Sequence, residues 1–246
     1  MRIAILTDIH GNQEAFSAVL ADMAERVVDR TVMLGDIVGY GPDPAWCVEK
    51  TMELVAAGAL CIKGNHDSAI ADPKESLNVT ARRAIDWTRP LLGAAQKQFL
   101  AELPLTLSLD DVLFVHASAN DPGDWIYVTN ASRAMPSFRV STARVIFCGH
   151  VHVPALISCN MGGHVQQQKV LTGRPIPLIR SRRWLAVVGS VGQPRDGAAQ
   201  GGYAIFDNES NELTFLRVPY DVTTTVQKVR QAGLPESLAM RLNWGA

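Results

Sequence analysis

The sequence predicts an α/β (α+β) fold in which two β-sheets pack face to face with helices outside, as one domain over residues 1–246. Two observations carry this. The first third alternates short apolar runs with helical patterns as βαβαβ, and the remainder is strand-rich. Sheets and helices each bury one face, so this order is met by stacked layers around shared cores. No repeat, low-complexity tract or shift of composition marks a domain boundary.

Residues 2–6 (RIAIL) are continuously apolar after Arg2, which reads as a strand covered on both faces. Residues 13–27 place Ala15, Phe16, Val19, Leu20, Met23 and Val27 at a helical period. A second strand is expected at 31–34, a helix at 44–57 and a third strand at 59–63. Two helical patterns follow between 80 and 102, broken near Pro90 and Gly93. Residues 105–109 and 112–115 flank Asp110-Asp111 as an antiparallel hairpin. Further strands are expected at 144–148, 155–159, 164–170, 184–188, 202–206 and 212–218, with closing helices at 222–230 and 236–242.

The bulk composition narrows the function classes. The chain is 47% hydrophobic and 19% charged, with 23 Lys+Arg against 24 Asp+Glu for a net charge of −1. Near-neutrality without a basic run gives no strong nucleic-acid signal. Cys47, Cys61, Cys148 and Cys159 form no CxxC pair and read as reduced and mostly buried. The longest apolar stretch, 54–62, is too short for a bilayer. Only four apolar residues separate Arg2 from Thr7-Asp8, which is no signal-peptide core. A cytoplasmic protein without a membrane partner is the expectation.

Five motifs each follow an apolar strand. They are Asp8-Ile9-His10, Gly35-Asp36, Gly64-Asn65-His66-Asp67, His116, and Gly149-His150-Val151-His152. Ligand sites in open α/β sheets lie beyond the carboxyl ends of the strands, so these clusters should converge in space. Of the six histidines, only His164 falls outside the motifs, in a Gly162-Gly163-His164 hairpin turn.

Imidazole mixed with carboxylate and amide oxygen, without thiolate, suits Mn, Fe, Zn, Ni or Co. Eight such groups are too many for one ion and suit two divalent ions that share a carboxylate. Asp36 is the natural bridge, offering one oxygen to each. The positive field left over favours a bridging hydroxide and a phosphate group. Two ions about 3.5–4 Å apart clamp the attacking and leaving oxygens of an in-line displacement. His66, next to Asn65, fits the proton donor to the leaving oxygen, with Asp67 orienting its ring through the second nitrogen.

In this order DxH, GD, GNHD, a strand-end His and GHxH resemble the calcineurin-like metallophosphoesterase superfamily, over roughly residues 2–207. The resemblance implies a four-layer α/β/β/α sandwich of two mixed sheets flanked by helices. It implies Asp8, His10, Asp36 and His152 around one metal, Asp36, Asn65, His116 and His150 around the other, and His66 as proton donor. GDIVGYGP at 35–42 and GSVGQPRDG at 189–197 resemble the small prokaryotic phosphodiesterase branch, including its diadenosine-tetraphosphatase-like members. Protein serine/threonine phosphatases carry GDxVDRG and GNHE, whereas this chain has Gly39-Tyr40 and Asp67 at those points. One departure is Val187-Val188, where branch members often read Asn-Pro.

Arg195 and the backbone of the 189–197 loop could hold a phosphate. Tyr40 could line the pocket or stack on a base, and Trp125 and Tyr127 could rim the cleft. The expected activity is hydrolysis of a small phosphorylated substrate, a phosphodiester or a dinucleotide phosphoanhydride, by attack of a metal-bridging hydroxide. The alternatives are a phosphomonoesterase or phosphoprotein phosphatase, and a non-catalytic scaffold on the same fold. The sequence leaves the native metals and the oligomeric state open.

Overall fold

The computed structural model describes residues 1–245. The first part of the chain runs β1 (Arg2–Leu6), α1 (Gln13–Ala24), β2 (Arg30–Met33), α2 (Pro44–Ala56), β3 (Leu60–Cys61), α3 (Asn65–Ala71), α4 (Val79–Thr88) and α5 (Ala94–Glu102). Then come β4 (Thr106–Leu109), β5 (Val112–Val115), α6 (Ala131–Val140), β6 (Val145–Cys148), β7 (Ala155–Cys159) and β8 (Val165–Gln168). The chain continues through β9 (Ile176–Pro177), β10 (Arg183–Val187), β11 (Gly201–Asp207) and β12 (Glu212–Val218). It closes with α7 (Val222–Gln231) and α8 (Glu236–Trp244).

Two six-stranded mixed sheets result, ordered β3-β2-β1-β11-β12-β9 and β4-β5-β6-β10-β7-β8. In the first, β1, β2 and β3 are parallel and β11 runs against β1. In the second, β5, β6 and β10 are parallel. The carboxyl ends of the parallel strands carry the five motifs.

Period-2 alternation explains why β1 is apolar throughout. Ile3 and Ile5 enter the core between the sheets with Val32, Leu34, Phe114, Phe147 and Phe206. Ala4 and Leu6 point the other way, to Phe16, Val19 and Met23 of α1. The rings of Phe114 and Phe147 stack at 5.7 Å, and Phe206 lies 5.5 Å from Phe147. On the far side of the second sheet, Val115, Ile146 and Leu185 pack on Ala134 and Phe138 of α6. This is the four-layer sandwich the resemblance implies.

Three elements differ from expectation. Helix α6 contains Pro136, which reads as a break in sequence. It lies in the first two turns, where its missing donor costs one bond, and the Asn130 side chain caps the start by accepting from Arg133 N–H at 3.0 Å. Helix α3 begins at Asn65, directly on the GNHD motif. Strand β9 is two residues long, too short to show a period. Val187 and Val188, at the Asn-Pro departure, are core residues that point into opposite apolar layers. All four cysteines are free and buried. No helix among the described residues is long and apolar enough to cross a membrane.

Candidate metal centre

The chain after β1 turns sharply at Asp8 and His10, with φ of 54° and 50°. Asp36 after β2 has φ 53°, and His150 and His152 after β6 have 65° and 64°. For residues with a Cβ this left-handed region costs about 1–2 kcal/mol each, so five such residues at one site are imposed by their surroundings. The constraint is visible in the backbone ladder that continues past the strands. Asp8 N–H donates to Gly35 O at 3.1 Å, His10 N–H to Asp36 O at 2.9 Å, and Gly149 N–H to His116 O at 2.8 Å.

The structure brings Asp8, His10, Asp36, His66, His116, His150 and His152 together, all buried. Three overlapping groups could hold a metal ion: Asp8, His10 and His152; His10, Asp36 and His66; and Asp36, His116 and His150. Asp36 belongs to two of them.

Hydrogen bonding fixes which ring atoms face inward. Nδ1 of His10 meets the Val38 carbonyl at 3.1 Å, Nδ1 of His116 the Leu34 carbonyl at 2.7 Å, and Nδ1 of His152 the Gln193 carbonyl at 2.6 Å. A carbonyl only accepts, so each Nδ1 carries the proton and each neutral ring presents Nε2 as a lone pair. The Nε2 atoms of His10 and His152 then face each other at 3.1 Å, with Asp8 Oδ1 3.7 and 3.2 Å away. Two lone pairs and a carboxylate oxygen at that spacing require a positive charge among them, a proton or a metal ion. The buried Asp8 Oδ1, Asn65 Oδ1 and His150 Nε2 have no hydrogen-bond partner, so the site offers donors that the protein itself leaves unused. The donor set fits divalent ions of the imidazole–carboxylate type.

Each carboxylate keeps one oxygen for the backbone. Asp8 Oδ2 accepts from His150 N–H at 2.9 Å and Thr7 Oγ1 at 2.8 Å. Asp36 Oδ1 accepts from His66 N–H at 2.8 Å. Asp36 Oδ2 faces both histidine groups, 3.6 Å from His10 Nε2 and 3.4 Å from His116 Nε2.

The charges follow from this packing. Burial opposes ionisation of both aspartates. The surrounding imidazoles, His152 foremost for Asp8 and His116 for Asp36, nonetheless hold both well below the carboxylate range. Burial also works against the His116 cation, but the Asp36 carboxylate beside it wins and its pKa rises to about 9. His150 and His152 are pushed down, chiefly by burial, to about 3 and about 4.

Asn65, His66 and Asp67 form the first turn of α3. Asp67 does not orient the His66 ring. Its carboxylate accepts from four backbone N–H groups instead: Asp36 at 2.8 Å, Ile37 at 2.9 Å, Val38 at 3.3 Å and Gly64 at 3.0 Å. It caps α3 and clamps the loop after β2, the segment that carries Asp36. Nδ1 of His66 is buried without a partner, and burial lowers the ring's pKa to about 3. The ring is held by packing, 4.5 Å from Tyr40 and 4.9 Å from His10. Gly39 permits this, since a Cβ there would lie 2.1 Å from His66 Nδ1.

Beside the centre is a cleft of about 230 Å³ lined by Tyr40, Asn65, His66, Trp125, Tyr127 and His150. Tyr127 stacks on His150 at 4.0 Å, and Trp125 meets His116 edge-on at 5.8 Å. Both therefore rim the cleft. Tyr40 is buried, with φ 63°, and packs on His10, His66 and the Arg195 guanidinium, 5.8 Å from its ring. It lines the pocket, and those contacts leave it ill placed to stack on a base. Arg195 is partly buried, and its Nη2 donates to Gln193 Oε1 at 2.8 Å. Sequence reasoning missed Gln193 and Asn12. The Gln193 carbonyl fixes His152, and Asn12 caps α1 while donating to Gly192 O at 2.8 Å. No sequence signal marks which backbone carbonyl will hold a histidine ring. His164 is remote from the centre, at the β7–β8 turn.

A family described as the calcineurin-like phosphoesterase superfamily domain matches residues 1–211. The chain belongs to that superfamily. An uncharacterized protein of Methanocaldococcus jannaschii is 35% identical over 253 aligned residues, covering 99% of this chain and 98% of that one. The crystal structure of a metallophosphoesterase from Sphaerobacter thermophilus superposes with a TM-score of 0.87 at 38% identity, covering 100% of both chains. A hypothetical protein from Pyrococcus horikoshii shares the fold, with a TM-score of 0.81 at 21% identity over 100% of this chain and 98% of that one. Superfamily membership supports a phosphoric ester hydrolase, and the His/Asp groups could bind the divalent metals such enzymes use.

Proposed function

We propose that this protein is a phosphoesterase that uses two divalent ions, drawn from Mn, Fe, Zn, Ni and Co, to hydrolyse a phosphodiester or a dinucleotide phosphoanhydride. The observation that carries the reading is Asp36 Oδ2 facing His10 and His116 at once, at 3.6 and 3.4 Å. Asp8, His10, Asp36 and His152 would hold one ion, and Asp36, Asn65, His116 and His150 the other. Bound metal would polarise the phosphoryl oxygens and lower the pKa of a water nucleophile.

The chain's own residues do the rest. Carbonyls of Val38, Leu34 and Gln193 hold three rings in the tautomer that presents Nε2. Asp67 holds the Asp36 loop. Tyr40, Trp125 and Tyr127 wall the cleft and limit water. Arg195 would draw a phosphate toward His152, whose carbonyl accepts from Arg195 N–H at 3.2 Å. His66, neutral in the free site, would gain a proton as the substrate's negative charge raises its pKa, and pass it to the leaving oxygen. We read the chain as one domain, because both sheets share the core that contains Ile5 and Phe147. Four free, buried cysteines support a cytoplasmic placement.

The test is elemental analysis of the purified protein joined to a hydrolysis panel. Mn-loaded protein should hydrolyse bis-p-nitrophenyl phosphate or diadenosine tetraphosphate faster than p-nitrophenyl phosphate. Inertness toward all three sinks the proposal, and preference for the monoester makes it a phosphomonoesterase. His66→Ala should keep its metal and lose turnover by about 10²–10⁴, most for poor leaving groups. A uniform rate across leaving groups removes His66 from proton transfer.

A further inference from the structure

The family domain matches residues 1–211, and α7 and α8 lie beyond it, although the likeness to the Sphaerobacter thermophilus metallophosphoesterase runs the full length of both chains. These helices are nevertheless fastened to the rim of the centre. Val226, Val229, Leu238 and Leu242 share an apolar cluster with Tyr40. Thr225 Oγ1 donates to Glu14 Oε2 at 3.0 Å, and Lys228 Nζ donates to Asp43 Oδ2 at 3.0 Å. At the end of α8, Gly197 N–H donates to Gly245 O at 2.7 Å, tying the helix to the Arg195 loop. Gly245 has φ 62°, and a Cβ there would come within 2.6 Å of the Ala198 backbone, so this junction needs glycine.

One result of this fastening is a pair of like charges. Arg241, in the last turn of α8, reaches Gln193 Oε1 with Nη1 at 3.4 Å, and Arg195 donates to the same oxygen at 2.8 Å. Among the described residues neither guanidinium forms an ion pair, and the buried Nε of Arg195 has no partner. Two partly buried guanidiniums sharing one neutral amide oxygen repel each other and leave most of their fork donors unused. Such a pair is stabilised by an anion between them. It lies against Tyr40, one of the residues that line the cleft, and next to the His152 backbone.

We infer that Arg195 and Arg241 form a second anion subsite, which takes a phosphate group adjacent to the scissile one in a condensed-phosphate substrate. This rests on the phosphoesterase reading and decides within it for a phosphoanhydride over a simple diester. The aromatic cleft and the arginine pair would then hold neighbouring parts of the substrate, and α8 would supply specificity from beyond residue 211.

The test compares metal-loaded full-length protein with Arg241→Gln and Arg241→Lys. Diadenosine tetraphosphate offers neighbouring phosphates, and bis-p-nitrophenyl phosphate has none. Arg241→Gln should lower kcat/KM for the tetraphosphate by about 10–100-fold, mainly through KM, and change the diester by less than about threefold. Arg241→Lys should recover part of the loss. Calorimetric binding of adenosine 5′-diphosphate should weaken in Arg241→Gln until it matches adenosine 5′-monophosphate. Equal loss on both substrates, or unchanged diphosphate binding, overturns the subsite. Should the protein hydrolyse neither substrate, the phosphoesterase reading falls, while the calorimetric contrast still decides the arginine pair.

Discussion

Left-handed backbone at the hairpin turns and at the metal centre of this molecule differs in what holds it. At hairpin turns it falls on residues such as Asp110, between β4 and β5, and Asn211, between β11 and β12, with φ of 50° and 57°. These are exposed or half-buried, and of the residue types that tolerate the conformation best. At the centre it falls on buried Asp8, His10, Asp36, Tyr40, His150 and His152. Tyrosine has no local reason to turn there, and aspartate and histidine only tolerate the turn. The hairpins take the shape because the turn is short, whereas the centre takes it because parallel strands and their cross-links compel it. Strain gathered where side chains must converge is the mark of a built site.

The sharpest way to break this contrast is Asp67→Ala. Removing the acceptor of four N–H groups should destabilise the fold by about 3 kcal/mol and weaken metal binding by about 10–100-fold. Denaturant melts and metal titration read both. If the melting midpoint hardly moves, the loop after β2 is held by something other than Asp67.

An intermediate effect concerns protons. The metal-free His116 has its pKa raised to about 9, above the 6.5 of an unperturbed ring, so its ion pair with Asp36 stabilises the metal-free fold below about 6.5. That contribution should fade as pH rises through 9. Metal binding runs the opposite way. An ion at Asp36, His116 and His150 must displace the His116 proton, so its affinity should rise about tenfold per pH unit between 6.5 and 9. Metal affinity flat across that window would remove His116 from the ion's ligands.

The smallest effect comes from the other side of the comparison. Asn211→Gly relieves a left-handed residue at an open turn and should shift stability by no more than about 1 kcal/mol, with activity unchanged. A loss of turnover there would end the distinction between the two regions.

Much of this was legible without coordinates. Asp8, His10, Asp36, Asn65, His66, His116, His150 and His152 stand directly after apolar runs, and a strand end is a place in space as well as in sequence. The closing helices and the β4–β5 hairpin were equally plain from their periods. Helix α6 was not, because Pro136 reads as a break until the Asn130 cap and the apolar face of β6 and β7 are known. The role of Asp67 was also hidden. Beside His66 in sequence it suggests a ring partner, yet the helical turn of α3 aims it at the amides of residues 36–38.

The amino-acid sequence alone determined which donors exist, that β1 is covered on both faces, and that the chemistry lies at one edge of parallel strands. Residue type and periodicity are local properties and survive in a string of letters. Only the tertiary structure decided that Asp36 Oδ1 is taken by His66 N–H, leaving Oδ2 to face both histidine groups. It alone set Arg241 beside Arg195 on Gln193. Those outcomes depend on contacts such as His66 with Asp36, 30 residues apart, and Arg241 with Gln193, 48 apart, where angstrom-scale packing of whole elements selects the partner.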